Sequence, residues 1–258
     1  THRNLEFILI DGGELSDELI DDLRGLVEQA IGKERWKLIR DENPYTYSSR
    51  INAAASAASG DYLLQLNDDT EMITADGIKR LVHALDKDNI GIAGALLMYP
   101  SGRVQHAGTS IDNLAPRHAW AGCLPENLPW GTLVAPRMFN AVTAAVCMCR
   151  QSLWSRLNGM TDDFPVNYND VDFCLRAAEA GQFTVLEPRS RWIHYESASR
   201  EIKGIPPELE RFREVWGNKL GGYDCIDMYC SAWRKLLSAP LNTRSSQASR
   251  KLLWSCTH

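Results

Sequence analysis

Long hydrophobic runs are missing from this sequence of 258 residues. No stretch approaches the roughly 18 consecutive apolar residues that a membrane-spanning helix needs. Residues 1–4 read THRN and are not followed by the apolar segment of a secretory signal. We therefore expect a cytoplasmic protein. Peripheral association with the inner face of a membrane stays open, because tryptophan, lysine and arginine occur together between Trp233 and Trp254.

Strongly basic segments are also missing. The chain has 28 Lys and Arg residues against 33 Asp and Glu residues, which gives a formal net charge of −5. A nucleic-acid-binding surface normally appears as a cluster or stripe of positive charge, and the sequence contains none. We therefore expect no nucleic acid among the partners of this protein.

The cysteines argue against a disulfide framework, because their number, seven, is odd and their spacing is irregular. Cys147 and Cys149 lie in the apolar run AVTAAVCMCR, which is typical of small core residues. This usage favours a reducing compartment. The cysteines and the histidine nearest the C-terminus fit the spacing of no compact zinc module. They are Cys225, Cys230, Cys256 and His258.

Apolar runs alternate with helical patterns through the first hundred residues. The runs are short, and the segments between them carry apolar residues at helical spacing or many alanines. Strands separated by helices in this way predict an α/β fold with a mostly parallel sheet flanked by helices. The predicted strands are 5–13, 36–43, 61–69 and 90–99, and the predicted helices are 16–31, 49–59 and 74–86.

The second half of the chain is less regular. Residues 100–137 contain many turn formers and aromatic residues, and long excursions of this kind are usually functional. With 44% hydrophobic residues the chain can bury a sizeable core. We expect one domain at 1–217 and a C-terminal helical extension at 218–258. The further predicted strands are 140–149, 183–188 and 191–196, and the further helices are 150–157, 169–181 and one from 207 onward.

Residues 61–71, DYLLQLNDDTE, place two adjacent carboxylates at the tip of an apolar strand. Asp68 and Asp69, preceded by Asn67, repel each other unless a cation is bound or a proton is retained. Carboxylate oxygens suit Mg²⁺ or Mn²⁺, and Mg²⁺ completes its shell with water and substrate phosphates. Because open α/β sheets bind ligands at the carboxyl ends of their strands, a metal–diphosphate site is favoured. The alternative is a solvated acidic turn.

Two further polar segments are candidates for the same site. The segment NYNDVDFCLR at 167–176 opens a helix with Asp170 and Asp172, which is more acid than a helix cap requires. The alternative is simple helix capping by Asn169 or Asp170. The segment RWIHYESASR at 191–200 contains His194, for which a buried core histidine is the usual interpretation. Beside a metal site, its neutral imidazole would be a suitable ligand for Mn²⁺.

Five motifs occur in a fixed order along residues 5–217. They are DGG, SSRINAAASAASGDYLLQLNDDTE, GALLMYPSGRVQHAG, NAVTAAVCMCRQSLWSRLNGMTDDFPVNYNDVDFCLR and HYESASR. Together they resemble glycosyltransferase family 2, and most of all its bacterial rhamnosyltransferase-like members that build surface polysaccharides. The resemblance implies a GT-A (Rossmann-like) fold, a nucleotide-diphosphate-sugar donor, Mn²⁺ or Mg²⁺, and inversion at the anomeric carbon. The implied acceptor is a hydroxyl group of a saccharide or of a lipid-linked saccharide.

The resemblance also implies which residues bind the nucleotide sugar. Asp11 matches the acid that contacts the nucleotide base, and Arg50 and Asn52 fall in the segment that lies near the nucleotide. Asn67 and Asp68 belong to the DxD-type motif, in which Asp68 would lie next to the ribose or the metal. The first position of this motif is Asn rather than Asp, which removes one charge.

The remaining implied roles concern the reaction itself. Asp69 matches the metal-binding acid, and His194 matches a histidine that completes the metal and diphosphate shell. Asp170 matches the general base, which takes the proton from the acceptor hydroxyl. The excursion at 100–137 is expected to help shape the donor and acceptor pockets. Its candidate residues are Gln105, His106, Trp120 and Trp130.

The opening strand of the family, which ends in Pro-Thr-Tyr-Asn or a similar sequence, has no match here. The run at 5–13 corresponds to the second strand, so either another segment fills the central position or the sequence is a fragment. A catalytically inactive nucleotide-sugar-binding module is therefore an alternative function, because an unfilled central position leaves backbone groups unpaired. A nucleotidyltransferase would carry a glycine-rich loop with a basic residue near its start, and none is visible.

Overall fold

A computed structural model describes residues 4–112, 114–195 and 207–220. These residues form strands and helices in the alternating order that the first half of the sequence predicts. The strands are β1 (Phe7–Asp11), β2 (Trp36–Arg40), β3 (Tyr62–Leu66), β4 (Thr70–Met72), β5 (Ile90–Met98), β6 (Val104–His106), β7 (Thr109–Asp112), β8 (Ala115–His118), β9 (Arg137–Phe139), β10 (Val146–Arg150) and β11 (Phe183–His194).

The first two helices begin at short polar side chains. The Ser16 hydroxyl accepts a hydrogen bond from the backbone N–H of Leu19, and the Thr46 hydroxyl accepts one from Ser49. Such caps satisfy donors in the first helical turn that have no partner within the helix. The helices are α1 (Asp17–Ile31), α2 (Tyr47–Ala57), α3 (Gly77–Ala84), α4 (Gln151–Arg156), α5 (Asn169–Glu179) and α6 (Glu208–Trp216).

The central sheet has the strand order β3-β10-β5-β11-β4, with β6 added to β5 and β9 added to β11. A central sheet flanked by helices confirms the predicted α/β fold class. The sheet is mixed, however, because β5 and β11 pair in parallel while the other pairs are antiparallel. The expectation of a mostly parallel sheet is corrected in this respect. Strand β10 lies antiparallel between β3 and β5, and hydrophobic patterns reveal a strand without revealing the direction of its neighbour.

Strands β1 and β2 form a separate two-stranded parallel sheet. The carboxylate of Glu6 connects β1 to the beginning of β3, because it accepts hydrogen bonds from the backbone N–H groups of Ser59 at 2.5 Å and Gly60 at 3.0 Å. Within the described residues, no strand pairs β1 with the central sheet.

Two predicted strand boundaries are corrected by the structure. Strand β10 begins at Val146, whereas residues 140–145 form a loop with one isolated bridge. The two strands predicted at the end of the domain are one continuous strand, β11. Its pairing with β5 is irregular between Glu187 and Arg191. Pro188 lies in this interval and has no N–H to donate to a neighbouring strand, which explains why the pattern looked interrupted.

Strand β5 lies at the centre of the core and is buried on both faces. Ile92 and Leu96 pack on the side covered by α4 and α5, whereas Ala95 and Leu97 pack on the side covered by α3. Side chains alternate between the two faces of a strand, so a strand with two buried faces is apolar throughout.

Cys147 and Cys149 of β10 are buried free thiols in the same core, as the sequence predicts. Burial raises the pKa of both thiols. They are therefore protonated core residues.

Helix α6 belongs to the same body, because Phe212 and Trp216 are buried in the cluster that contains α4 and α5. Of the predicted extension at 218–258, the structure describes only 218–220, where Leu220 is also buried. No helix within the described part of the chain is both long and apolar enough to cross a bilayer. Outside the described residues lie Cys225, Cys230, Cys256, His258 and the segment from Trp233 to Trp254.

Candidate active site

Asp69 and His194 meet where β4 pairs with β11. The antiparallel register places Thr70 opposite His194, so the residue before Thr70 lies beside the end of β11. The His194 Nε2 atom is 3.1 Å from Asp69 Oδ1, and the two side chains are only 16% and 17% exposed. The backbone N–H of Tyr195 donates to the Asp69 carbonyl oxygen at 2.9 Å. The two predicted metal ligands are thus brought together by strand pairing.

The other ring nitrogen of His194 is held by Gln105. The His194 Nδ1 atom is 2.7 Å from Gln105 Oε1. Gln105 lies on the short strand β6 and is 4% exposed. The imidazole ring is therefore fixed from both sides, by a carboxylate and by a buried amide.

Asp170 lies in the first turn of α5. Its Oδ1 accepts a hydrogen bond from the backbone N–H of Val171 at 2.8 Å, and its Oδ2 accepts one from Ala144 at 3.1 Å. Tyr168, two residues before Asp170, has the left-handed value φ = 63°, and the chain turns sharply into the helix there. The carboxylate therefore lies at the start of the helix and faces the loop that precedes β10.

The protonation of Asp170 reflects its surroundings. Burial raises the pKa of Asp170 above its ordinary value. Hydrogen bonds from Ala144, Val171 and Thr143 act in the opposite direction, as does the positive charge of His118, but they do not cancel the effect of burial. A carboxylate with a raised pKa binds a proton more readily than an ordinary aspartate.

Residues 143–145 join the two acidic groups. The Ala144 N–H donates to Asp170, and the carbonyl oxygen of the next residue, Ala145, accepts from the backbone N–H of Asn67 at 3.0 Å. Asn67 begins the turn that carries Asp69. The predicted base and the turn that carries the predicted metal ligand are therefore attached to adjacent residues of one loop.

His106 and His118 form a pair of histidines beside this loop. Their rings meet edge to face with centroids 4.7 Å apart. His106 is fully buried, and its Nε2 accepts the backbone N–H of Thr143 at 3.2 Å. Burial, reinforced by the charges of His118 and His194, lowers the pKa of His106 well below its ordinary value. His106 is therefore a neutral acceptor that holds the loop.

No pattern in the sequence indicates that His118 lies near the predicted site. It is an exposed residue at the end of β8, within the long excursion. Its proximity to Asp170 depends on how this excursion folds back onto the domain. The sequence pattern could not reveal this proximity, because His118 lies on a short strand and Asp170 on a helix 52 positions later in the chain.

Asp11 is placed at the end of β1 and is 2% exposed. Its Oδ2 is 2.5 Å from Arg40 Nη1, and its Oδ1 accepts from the backbone N–H of Leu15 at 3.2 Å. Burial acts to raise the pKa of Asp11, but hydrogen bonds from Leu15 and Gly13 and the charge of Arg40 outweigh it, and the pKa is lowered. Asp11 therefore holds the loop after β1, and its predicted contact with a nucleotide base stays a prediction.

Arg50 lies at the same end of β1 as Asp11. A Cβ atom at Gly12 would overlap the Arg50 guanidinium group, so glycine permits this close approach. The guanidinium also lies over the ring of Tyr45, 4.7 Å from its centroid, and 3.6 Å from Glu14. Its position beside the Asp11 loop is compatible with the predicted nucleotide contact.

The other predicted nucleotide-binding residues differ in their surroundings. Both polar atoms of the Asn52 amide are engaged by the backbone of Met160, at 2.8 and 3.0 Å, which favours a structural role for this residue. The Asn67 carbonyl oxygen accepts from the Thr70 hydroxyl at 2.7 Å and shapes the acidic turn. Asp68 is exposed at the tip of that turn and is accessible to a ligand.

The donor atoms of Asp69 and His194 fit a Mn²⁺ or Mg²⁺ ion. Within the described residues, His, Cys, Asp and Glu side chains form no cluster of three or more that could hold a metal. Two protein donors are nevertheless sufficient for such ions, which keep several waters and bind substrate phosphates. A carboxylate oxygen and an imidazole nitrogen are both suitable ligands for Mn²⁺.

Several known proteins are similar to this chain in sequence. Glycosyl transferase family 2 matches residues 1–131. The uncharacterized protein y4gI of Sinorhizobium fredii is 31% identical over 223 residues, which are 82% of this chain and 23% of that protein. The O-antigen biosynthesis protein RfbC of Myxococcus xanthus is 31% identical over 210 residues, 80% of this chain and 16% of that protein. The chain thus spans less than a quarter of the length of these relatives.

Solved structures with a similar fold are glycosyltransferases. GalNAc-T7 with UDP, GalNAc and Mn²⁺ has a TM-score of 0.62 at 17% identity. The match covers 82% of this chain and 42% of the GalNAc-T7 chain. The mannosyltransferase PcManGT of Pyrobaculum calidifontis, in complex with GDP-Man and Mn²⁺, has a TM-score of 0.55 at 12% identity. The match covers 98% of this chain and 72% of the PcManGT chain. These likenesses identify the GT-A fold. Because the family match extends over half of the sequence, the chain belongs to glycosyltransferase family 2.

Proposed function

We propose that this chain is the catalytic domain of an inverting glycosyltransferase. It transfers a sugar from a nucleotide-diphosphate donor to a hydroxyl group of a saccharide or lipid-linked saccharide. The observation that carries the proposal is the attachment of Asp170 and of the Asp69 turn to adjacent residues of the loop 143–145. This arrangement provides a base for the acceptor and, a short distance away, a pair of ligands for a cation.

The donor side of the site consists of Asp69 and His194, which would hold Mn²⁺ or Mg²⁺. When bound, the cation would neutralise the charge that develops on the departing diphosphate. GalNAc-T7 was solved with UDP and Mn²⁺, and PcManGT with GDP-Man and Mn²⁺, which supports the same use of a metal here. The protein residues orient each other before the donor arrives, because Asp69 Oδ1 and His194 Nε2 already face one another at 3.1 Å.

The nucleotide part of the donor is assigned to the residues at the ends of β1 and β3. Asp68 is exposed beside Asp69, and Arg50 lies over the loop that follows β1. Asp11 contributes by holding this loop through its contact with Arg40. The remaining candidates, Asn52 and Asn67, would act mainly through the backbone conformations that they stabilise.

The acceptor side of the site is Asp170. Each carboxylate oxygen accepts one backbone hydrogen bond, and an ionised carboxylate has about four acceptor positions in total. The Thr143 side chain donates a third hydrogen bond, so about one acceptor position is left for an acceptor hydroxyl. The raised pKa of Asp170 favours its role as a base, because the group can retain the proton that it removes.

The biological setting follows from the relatives. RfbC is described as an O-antigen biosynthesis protein, and we propose that this chain also contributes to a surface polysaccharide. Nucleotide sugars would be used in the cytoplasm, at or near the inner face of the membrane where a lipid-linked acceptor is accessible.

A donor screen followed by an Asp170→Asn substitution tests this function. UDP-, GDP- and dTDP-sugars are added with Mn²⁺, and the donor is identified by thermal stabilisation of the chain. We expect Asp170→Asn to bind that donor as tightly as the wild type while its rate of sugar transfer falls by about 10²- to 10⁴-fold, the usual contribution of a general base. Transfer is measured as release of the nucleoside diphosphate.

Each outcome separates the candidate functions. Donor binding without hydrolysis or transfer in the wild type would support an inactive nucleotide-sugar-binding module instead. An Asp170→Asn variant that transfers sugar at the wild-type rate would contradict the assignment of the base. Thr161→Val serves as a matched control, because this substitution alters a polar residue of the preceding loop without changing a charge.

A further inference from the structure

We propose that Gln105 is a positioning residue that fixes the ring orientation and the tautomer of His194, so that Nε2 faces Asp69 with its lone pair available to a cation. The inference deepens the proposed function and rests on it for the cation. The contact that carries it is the 2.7 Å approach between Gln105 Oε1 and His194 Nδ1.

The chemistry of the amide determines the tautomer. A carbonyl oxygen can only accept a hydrogen bond, so the Nδ1 atom that faces Gln105 Oε1 must carry a proton. In the neutral imidazole the other nitrogen, Nε2, then has a free lone pair. This nitrogen lies 3.1 Å from Asp69 Oδ1, which can also only accept a hydrogen bond, so a cation would take the place of a proton between Nε2 and the carboxylate.

Burial makes this hydrogen bond important for the ring. Gln105 is 4% exposed and the His194 side chain is 16% exposed. Without Gln105, water could satisfy Nδ1, and the Asp69 carboxylate would favour the tautomer with its proton on Nε2. A buried acceptor at Nδ1 selects the other tautomer. In metal sites, a second hydrogen bond to the ligating histidine commonly performs this function.

The position of Gln105 is set by the backbone. Strand β6 pairs with β5 through Val104 opposite Met98 and His106 opposite Leu97, and the register is irregular between Leu97 and Met98. Such irregularities redirect side chains and are frequent next to active sites. The neighbouring His106 accepts the backbone N–H of Thr143, so β6 is also attached to the loop on the base side.

Two substitutions at Gln105 test the inference on the 258-residue chain. Gln105→Leu has a similar size but removes the acceptor, whereas Gln105→Glu retains an oxygen at the same position. Gln65→Leu is the control, since Gln65 is another buried strand glutamine, 5% exposed, whose Oε1 has no hydrogen-bond partner among the residues that the structure describes. Unchanged thermal unfolding and circular dichroism select the variants that are correctly folded.

The first measurement reports the tautomer without any metal. The chain has six histidines, so nitrogen NMR of selectively ¹⁵N-labelled histidine resolves few signals, and His194→Ala identifies the signal of His194. At a pH above the ordinary histidine pKa, we expect the wild type, Gln105→Glu and Gln65→Leu to keep a proton on Nδ1 of His194, because an oxygen acceptor faces that nitrogen or is left in place there. We expect Gln105→Leu to show the other tautomer or a mixture.

The second measurement is the affinity for Mn²⁺ alone, by electron paramagnetic resonance of the free ion. We expect Gln105→Leu to weaken binding by about 10- to 100-fold, as is usual when such an outer partner of a ligand is removed. Gln105→Glu and Gln65→Leu should bind within a few-fold of the wild type, by the same reasoning.

The results distinguish failure of this inference from failure of the proposed function. If His194→Ala binds Mn²⁺ as tightly as the wild type, the assigned metal ligand is wrong, whatever the tautomer. If His194→Ala loses binding but Gln105→Leu retains both the tautomer and the affinity, the positioning role is overturned. A changed tautomer with unchanged affinity would overturn it as well.

Discussion

Asp170 and Asp172 lie two positions apart at the start of α5, yet they have different neighbours. Both oxygens of Asp172 are engaged by side chains: Oδ2 is 2.7 Å from Arg176 Nε, and Oδ1 accepts from Trp216 Nε1 at 3.0 Å. Asp172 is therefore a structural acid, buried and paired. Asp170 instead accepts backbone hydrogen bonds, including one from Ala144, and stays partly accessible. One short motif thus provides Asp172 for the fold and Asp170 for the proposed site.

The charge of His118 gives a prediction at the scale of single residues. Because this charge lowers the pKa of Asp170, the substitution His118→Gln should raise that pKa further. A base with a higher pKa becomes deprotonated only at higher pH. The acidic limb of the profile of kcat/KM against pH should therefore move to higher pH, while donor binding at neutral pH stays unchanged.

The matched control is His83→Gln. His83 is an exposed histidine of α3 that pairs with Asp86 at 3.0 Å and lies on a different element. Its removal should leave the pH profile unchanged. An unshifted acidic limb in His118→Gln would show that the two residues do not interact, or that Asp170 is not the group that limits the rate.

The hydrogen bond between helices α5 and α6 should contribute measurably to stability. The substitution Trp216→Phe retains an aromatic ring in the core but removes the Nε1–H donor to Asp172. Asp172 is 3% exposed, so its Oδ1 would remain buried without this donor. We expect a loss of about 1–3 kcal/mol in the free energy of unfolding, measured by urea denaturation. Trp130→Phe should cost nothing measurable, because Trp130 is 97% exposed; equal effects of the two substitutions would contradict this account.

The sequence predicts those parts of the site that lie at the ends of regular elements. Asp69 follows an apolar strand and Asp170 begins a helix with a clear apolar period, so both positions can be read from local patterns. Gln105 and His118 lie in the excursion at 100–137, whose strands are three or four residues long and carry no recognisable period. Their approach to His194 and to Asp170 depends on long-range pairing, which local patterns do not contain.

The site as a whole uses residues from both halves of the chain. The match to the family ends at residue 131, so it includes Asp69 but neither Asp170 nor His194. Strand β10 brings the halves together, because it inserts antiparallel beside β3 and places residues 143–145 at the tip of that strand. A segment that ended before β10 would therefore contain the acidic turn without the loop that holds it and without Asp170, the proposed base.

At the scale of the whole molecule, Glu6 connects the sheet of β1 and β2 to the central sheet. Its carboxylate accepts backbone hydrogen bonds from Ser59 and Gly60 and pairs with Lys37 at 2.9 Å. Burial acts to raise the pKa of Glu6, but these hydrogen bonds and the charge of Lys37 outweigh it, and the pKa is lowered. A lowered pKa in the folded state means that the ionised carboxylate stabilises the fold.

The substitution Glu6→Gln should consequently reduce the free energy of unfolding at neutral pH by about 1–3 kcal/mol, since it weakens charged hydrogen bonds to two backbone donors. The stabilisation by Glu6 is fully present above the pKa of glutamate in the unfolded chain, and it is lost as the pH falls through the lowered pKa of the folded state. The difference between wild type and variant, measured by urea denaturation over a pH series, should therefore shrink on acidification. Glu34→Gln, at an exposed position, should show no such difference. If the Glu6→Gln difference were the same at every pH, the two sheets would be joined by packing rather than by this carboxylate.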